Sequence, residues 1–146
     1  MLEVEVKLRE VEQEYKRIDL IIGDHAGKFR TSRNVNRSED LGEISGSFKD
    51  FAKTYDATSI LLSQLSRTCE KRNPPKPILS DLYESGRIEQ DADQVALIYR
   101  DEYYNEQSSE KGVAEINLAK NRNDPTGRFK LAFRKQSATF RNYQGY

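Results

Sequence analysis

The hydrophobic positions in the first part of the chain follow helical spacing and then form a short continuous run. Between residues 2 and 17, apolar side chains recur mostly at three- and four-residue intervals among charged ones: Leu2, Val6, Leu8, Val11 and Tyr15. This spacing predicts a helix. Residues 18–22 (IDLII) form a short apolar run ended by Gly23 and Asp24, which predicts a strand. Because the run lacks a polar face, we expect it to be buried on both sides, as in a parallel sheet.

The same order of elements is predicted a second time. Residues 25–37 have no periodicity and many positive charges, which indicates a basic loop. Ser38 is the expected cap of a helix, whose apolar face consists of Ile44, Phe48, Phe51 and Ala52. A second buried-type strand covers residues 59–62. The order helix, strand, helix, strand predicts an α/β fold with parallel strands.

The second half of the chain is richer in predicted strands. Three prolines within residues 67–80 predict a loop. Four further strands are expected at residues 95–99, 113–119, 129–133 and 139–143. The turn composition of residues 123–127 (NDPTG) makes the fourth and fifth strands of the chain an antiparallel hairpin. The predicted architecture is therefore a parallel sheet extended by an antiparallel β-hairpin.

Composition narrows the class of protein. The chain has 146 residues, of which 33% are charged and 36% hydrophobic, as in soluble globular domains. No apolar run approaches the roughly 20 residues of a membrane helix, and the charged start does not resemble a signal peptide. The single cysteine, Cys69, fits a reducing cytosol. With His25 as the only histidine, a zinc site or a Cys/His catalytic pair within one chain is improbable.

The zero net charge conceals an uneven distribution. Residues 80–110 carry 2 basic and 9 acidic side chains, whereas residues 111–146 carry 8 and 2. Such segments can pair within one chain or pair one subunit with the next. Neutrality therefore does not exclude a nucleic-acid partner.

Two polar residues follow the predicted parallel strands. Asp24 stands at the carboxyl end of the first strand, where open α/β sheets place their ligands. It is either a carboxylate of the Walker B type, which holds a metal ion, or an aspartate that caps a turn. Gln64 follows the second strand and would emerge beside Asp24, either to sense a phosphate or as a loop amide bonded to backbone. The stretch from Gly23 to Phe29 is not a phosphate loop, because three residues rather than four separate its glycines and no Ser or Thr follows the lysine.

Other residues are candidates for phosphate contacts. The basic loop contains Arg30, Arg33 and Arg37, which suit a nucleic-acid backbone or are solvated surface charges. Gly86 can present backbone amides to a phosphate, although the many acids of residues 84–93 would repel one.

The end of the strand predicted at residues 113–119 carries two cations, Lys120 and Arg122. Because they are two residues apart, they point the same way if the strand continues. They either reach a phosphate on a neighbouring subunit or protect an edge strand.

Several blocks of the sequence resemble one family. In order along the chain they are ILLSQLSR (60–67), PILSDLYESGRIEQDAD (77–93), YRDEYY (99–104), AKNRNDPTG (119–127) and LAF (131–133). They resemble the carboxyl-terminal half of a DnaB-type replicative DNA helicase, and the resemblance runs from about Asp19 to Tyr143. It implies a RecA-like core that forms a homo-hexamer, with ATP and Mg²⁺ at the subunit interfaces and single-stranded DNA in the central channel.

The resemblance also implies roles for individual residues. Asp24 is the Walker B carboxylate, which holds Mg²⁺ directly or through water, and Gln64 links the nucleotide state to DNA contact. Lys120 and Arg122 reach the γ-phosphate of the neighbouring subunit, which is the arginine-finger role. The DNA contacts fall in two loops, the first with Arg33 and Arg37 and the second with Glu84, Ser85, Gly86 and Arg87.

The resemblance is to only part of that enzyme. The phosphate loop and catalytic glutamate of the family have no counterpart here, so residues 1–146 are expected to be a partial RecA-like domain: a domain fragment, a truncated gene product or one piece of a split helicase. We expect negligible ATPase activity from this chain alone. The implied partners are a primase and a helicase loader, without a membrane, in the cytoplasm of a bacterium or phage host, near the nucleoid.

Two other functions are compatible with parts of the sequence. The first is a non-catalytic interaction module that joins or inhibits a helicase ring through Lys120 and Arg122. The second, a RecA-like regulatory ATPase of another kind, is disfavoured by the segment ESGRIEQDAD (84–93).

Overall fold

The computed structural model describes residues 1–31 and 36–145, with only the backbone of residues 83–85. The described chain forms two compact units. The first contains Met1–Ser66 and Leu82–Ala92, and the second contains Arg67–Asp81 and Asp93–Tyr146.

The first unit contains the predicted order of helix, strand, helix and strand. Its elements are α1 (Leu2–Tyr15), β1 (Leu20–Gly23), a 3-10 helix (Ala26–Lys28), α2 (Arg37–Thr54), β2 (Thr58–Leu61) and α3 (Gly86–Asp91). Strands β1 and β2 pair in parallel, with Leu20 opposite Thr58 and Gly23 opposite Leu61. The parallel strand pair predicted from the sequence is therefore confirmed.

The core of the first unit lies between α2 and the sheet. Ile44 is fully buried, and its neighbours along α2, Phe48 and Phe51, pack edge to face with ring centroids 6.1 Å apart. Side chains from the other elements complete this cluster: Ile18, Ile21, Ala26, Leu41 and Ile88. Most of the apolar face predicted for this helix is thus the side that packs against the sheet of β1 and β2, while Ala52 is only half-buried.

The expectation that β1 is buried on both faces is wrong. Ile21 is buried, but Leu20 and Ile22 are 50% and 59% exposed. Their neighbours on β2 and just after it, Ile60 and Leu62, are exposed as well. The reason is that α1 and α2 pack on one core cluster, whereas the opposite face of β1 and β2 remains open to solvent in the described part of this unit.

The start of α2 also differs from the prediction. The cap is Asn36 rather than Ser38, because the side-chain oxygen of Asn36 accepts a hydrogen bond of 3.0 Å from the backbone N–H of Glu39. An asparagine in this position satisfies a helix-terminal N–H as well as a serine does. Arg37 therefore belongs to the helix and not to the basic loop.

The second unit is built on an antiparallel sheet. Its elements are a 3-10 helix (Arg67–Lys71), β3 (Gln94–Tyr99), the short α4 (Asp101–Tyr104), β4 (Val113–Asn121), β5 (Gly127–Arg134) and β6 (Thr139–Asn142). The sheet order is β3-β4-β5-β6, and every neighbouring pair is antiparallel. The hairpin predicted between β4 and β5 is confirmed, and the antiparallel part extends over all four strands.

Strand β4 contains a bulge near its end. Leu118 lies opposite Ala96 and Lys120 lies opposite Val95, so Ala119 has no partner in the register. A bulge of this kind inserts one residue into one strand and bends it locally. None of the helices in the described ranges is long and apolar enough to cross a lipid bilayer.

Candidate functional site

The carboxyl edge of the parallel strands brings Asp24 and Gln64 to one side of the sheet. Gly23 ends β1 opposite Leu61, and its carbonyl accepts a hydrogen bond of 2.9 Å from the N–H of Leu62. The Leu62 carbonyl in turn accepts a hydrogen bond of 2.8 Å from Ala26. These bonds hold together the segments in which Asp24 and Gln64 stand, and both residues are exposed. The shared edge expected for them is therefore observed.

The carboxylate of Asp24 is open to solvent. It makes no hydrogen bond or ion pair with other residues in the described ranges 1–31 and 36–145. An unengaged carboxylate at a strand end has the donor chemistry that Mg²⁺ prefers. The residue present thus fits a Mg²⁺ ligand that acts directly or through water.

His25, which follows Asp24, has a structural role. Its Nδ1 accepts a hydrogen bond of 3.1 Å from the backbone N–H of Gly27 and thereby caps the 3-10 helix Ala26–Lys28. The glycine and lysine of the apparent phosphate-loop motif therefore belong to a tight helical turn. This geometry agrees with the rejection of that motif.

The basic loop is tied to α2 by one carboxylate. Asp40 is buried and accepts hydrogen bonds of 2.9 Å from the N–H of Thr31 and from Nη1 of Arg37, with Arg30 at 3.8 Å. Burial raises the pKa of Asp40, but the hydrogen bonds from Thr31 and the Arg37 guanidinium outweigh burial and hold the pKa below its ordinary value. Arg37 also donates to the Ala26 carbonyl at 3.5 Å. The guanidinium expected to contact DNA is thus engaged in the base of the loop, while Arg33 lies outside the described residues.

The second predicted DNA loop begins a helix. Glu84 and Ser85 lie in the 3-10 helix Leu79–Ser85, where only their backbone is described. Gly86 is exposed and begins α3, and a Cβ added there would meet no described atom within 4 Å. The open space around Gly86 leaves its backbone accessible to a ligand.

Arg87 is also exposed, but its stem rests on α2. A Cβ added at Gly42 would lie 2.5 Å from Cδ of Arg87, so this glycine provides the room for the arginine stem. The next residue, Ile88, is buried in the core cluster. The role of Gly42 is not predictable from the sequence, where its one signal is a glycine inside a helical pattern.

Lys120 and Arg122 lie at the end of β4 in the second unit. The N–H of Arg122 donates to the Asp93 carbonyl at 2.9 Å, and its Nη1 lies 3.4 Å from Oδ1 of Asp93. The alternative that these cations protect an edge strand stays open, because the pairing of β4 with β5 ends at Leu118 and Lys120 is paired only with β3. Lys120 and Arg122 belong to the second unit, whereas Asp24 and Gln64 belong to the first. Each pair of residues is therefore described within its own unit.

A buried ion pair closes the proline-rich segment, which the sequence analysis assigned only as a loop. Asp81 is 4% exposed and accepts hydrogen bonds from Arg72, one of them 3.0 Å long, and from the N–H of Ile78 at 2.8 Å. Burial raises the pKa of Asp81, but these hydrogen bonds outweigh burial and lower the pKa. Arg72 also donates to the Lys76 carbonyl at 3.0 Å. The guanidinium of Arg72 thus joins the two ends of the segment 72–81.

Solved structures with the same architecture define the class of this protein. One of them, described as an ATPase domain, superposes with a TM-score of 0.89 at 37% sequence identity, over 97% of this chain and 50% of that one. A structure of a DnaB-like replicative helicase and its interactions with primase gives the same TM-score and identity, over 97% of this chain and 35% of that one. The fold is that of part of a RecA-like ATPase domain of the DnaB type, as expected.

Sequence comparison identifies the family. The chain matches the DnaB-like helicase C terminal domain over residues 1–142 and belongs to that family. It is 48% identical over 141 residues to the replicative DNA helicase DnaB of Pasteurella multocida and 42% identical over 144 residues to that of Geobacillus stearothermophilus. These matches cover 96% and 97% of this chain, which spans about 30% of the length of these relatives.

Proposed function

We propose that this chain provides part of the motor of an ATP-dependent replicative helicase that translocates on single-stranded DNA and unwinds duplex DNA. The observation that carries the proposal is the shared carboxyl edge of β1 and β2, where Asp24 and Gln64 follow paired parallel strands. A metal-holding carboxylate beside an amide able to sense phosphate suits the nucleotide edge of such a motor. The membership of the chain in the DnaB-like family supports the same function.

At the nucleotide edge, each residue has a separate task. The exposed carboxylate of Asp24 would hold Mg²⁺, which when bound neutralises charge on the nucleotide phosphates. The exposed amide of Gln64 can donate to a phosphate oxygen or orient a water molecule. The 146 residues contain no phosphate-loop motif, so we expect this chain alone to hydrolyse ATP negligibly.

The remaining candidate residues act on a neighbouring subunit and on DNA. In a homo-hexamer, Lys120 and Arg122 would reach the γ-phosphate bound by the adjacent subunit and stabilise charge in the transition state. Arg33, Arg37 and Arg87 would contact DNA phosphates together with the backbone amides of Glu84, Ser85 and Gly86. The accessible backbone at Gly86 supports this assignment.

The proposed setting is a bacterial or phage replication fork in the cytoplasm. One structural neighbour is described with its interactions with primase, which supports a primase as a partner of this chain. A helicase loader is the second proposed partner.

A chimera tests the proposed function. The region of the Pasteurella multocida relative that aligns with this chain is replaced by this chain, and ATP hydrolysis and duplex unwinding are measured. We expect an active chimera that loses both activities when Asp24→Asn is introduced, whereas Asp50→Asn, which changes an exposed carboxylate on α2, leaves them unchanged. An active Asp24→Asn chimera would rule out the metal-holding role of this residue.

The second candidate is a non-catalytic module that joins or inhibits a helicase ring. It is favoured by the absence of a phosphate-loop motif in a chain that carries Lys120 and Arg122. Pure chain is titrated into an intact DnaB-family helicase while unwinding is followed. Inhibition that disappears with Arg122→Ala supports the module, and unchanged unwinding at all concentrations rejects it.

A further inference from the structure

The side chains of β5 alternate between two chemically different faces of the sheet. Successive residues of a strand point to opposite faces, so Arg128, Lys130 and Arg134 share one face. The other face carries Phe129, Leu131 and Phe133. One side of this strand is therefore basic and the other apolar.

Strand β6 and the residue after it enlarge the basic side. Arg141 lies opposite Ala132, on the face that contains Arg128 and Lys130. The ring of Tyr143 lies on the same side, because Nζ of Lys130 is 6.0 Å from its centroid. We name as the hairpin basic face the group Arg128, Lys130, Arg134, Arg141 and Tyr143.

Most of the positive charge on the hairpin basic face is not neutralised by residues that the structure describes. Lys130 forms an ion pair with Glu110, which raises the pKa of this lysine. The guanidinium groups of Arg128, Arg134 and Arg141 are exposed and make no hydrogen bond or ion pair with residues that the structure describes. These three cations are available to an external anion.

The acidic segment of the chain is not the natural partner of this face. Most of its carboxylates are already engaged by neighbouring groups: Asp81, Asp91, Asp93, Asp101, Glu102 and Glu110. The acidic segment of a second copy would therefore offer few free carboxylates to the hairpin basic face.

We propose that the hairpin basic face binds the phosphate backbone of single-stranded nucleic acid, separately from the two DNA loops. Residues two apart on a strand are about 6.6 Å apart, so β5 presents a row of cations rather than a point charge. Such a row with an aromatic ring beside it is how many proteins hold single strands: the cations follow the backbone and the ring stacks on a base. Tyr143 is 42% exposed and supplies that ring.

The test measures binding of the 146-residue chain to labelled oligothymidylate by fluorescence anisotropy in a series of salt concentrations. The variant Arg134→Gln with Arg141→Gln removes two cations from the face. Lys53→Gln with Lys71→Gln removes two exposed lysines elsewhere and is the matched control. Equal thermal unfolding midpoints for the variants and wild type confirm that folding is unaffected.

We expect the arginine double variant to bind at least tenfold more weakly than the control. The slope of log K against log salt should fall by about 1.4, because each lost phosphate contact on a single strand lowers this slope by about 0.7. Tyr143→Ala should weaken binding about fivefold or more, and Tyr143→Phe should restore it.

Three results would overturn the proposal. The first is an arginine variant with the affinity and salt slope of the control, and the second is no binding by wild-type protein at low salt. The third is stronger binding to polyglutamate than to oligothymidylate with no effect of Tyr143→Ala, which would identify an acidic polypeptide as the ligand of this face.

Discussion

Gly23, the last residue of β1, lies so close to Phe48 of α2 that a Cβ at position 23 would stand 2.5 Å from Cζ of the ring. The same added atom would be 2.9 Å from Cδ1 of Leu61 on β2. The absence of a side chain at this one position thus lets the helix pack directly on the end of the strand. Asp24 follows immediately, so the contact also determines where the candidate metal ligand begins.

Gly23→Ala should destabilise the protein by about 1–3 kcal/mol, because the extra methyl group overpacks a site without free space. The control is Gly46→Ala, where the nearest described atom to the added Cβ is Oδ2 of Asp91 at 3.9 Å. Alanine inside a helix is favoured over glycine, so Gly46→Ala should be more stable by about 0.5–1 kcal/mol. Urea unfolding measures both changes, and a Gly23→Ala variant as stable as wild type would show that this contact is not tight.

Asp40 should make the stability of the chain depend on pH. Its pKa is lower in the folded state than in the unfolded state, so its ionised form favours folding. This contribution is complete above the unfolded pKa of about 4 and is lost as pH falls through the folded pKa.

Asp40→Asn should lower stability by about 1–2 kcal/mol at neutral pH, and the difference from wild type should shrink in acid. Urea unfolding at neutral and acidic pH measures this difference. The exposed Asp50→Asn is the matched control. A constant difference between Asp40→Asn and wild type over the whole pH range would contradict the role of the Asp40 charge.

Asp81→Asn should also destabilise the chain, by about 1–3 kcal/mol, because the change weakens the hydrogen bonds of a buried carboxylate to Arg72 and Ile78. Limited proteolysis provides a local measurement, since residues 72–81 should become more sensitive in the variant than the rest of the chain. The same cleavage pattern as wild type would show that the ion pair does not hold this segment closed.

Arg122→Ala in the chimera should reduce kcat about 1000-fold or more, as expected when an arginine finger is removed, and leave KM for ATP nearly unchanged. The matched control, Lys111→Ala, removes an exposed cation of the same unit and should retain full kcat. A rise in KM at unchanged kcat would instead assign Arg122 to ground-state binding of nucleotide.

The sequence predicted the elements well because their spacing is local information. The run of residues 18–22 and the later predicted strands are found with boundaries shifted by up to two residues. Exposure of Leu20 and Ile22 was not predictable, since an apolar run does not reveal which of its faces another element covers. The cap was missed because Asn36 and Ser38 are both good caps, and only the backbone geometry distinguishes them.

The residues of the candidate site also fall into two groups: those whose positions the sequence predicts and those whose contacts it does not predict. The positions of Asp24 and Gln64 follow from strand order, which the alternation of elements reveals. The engagement of Arg37 by Asp40, and the room that Gly42 leaves for Arg87, depend on the folded arrangement of the chain. No local pattern contains these contacts, so they required the structure.

The bulge at the unpaired Ala119 affects the side of the sheet on which Lys120 and Arg122 lie. With the bulge, Lys120 lies opposite Val95; without it, the register of Leu118 with Ala96 would continue and place Ala119 there. Closing the bulge without deleting a residue would therefore shift Lys120 and Arg122 by one position in the register and turn them to the other side of the sheet. The side of the sheet on which these cations lie thus depends on the bulge in the strand pairing, and a comparison of amino-acid identities alone would not detect its loss.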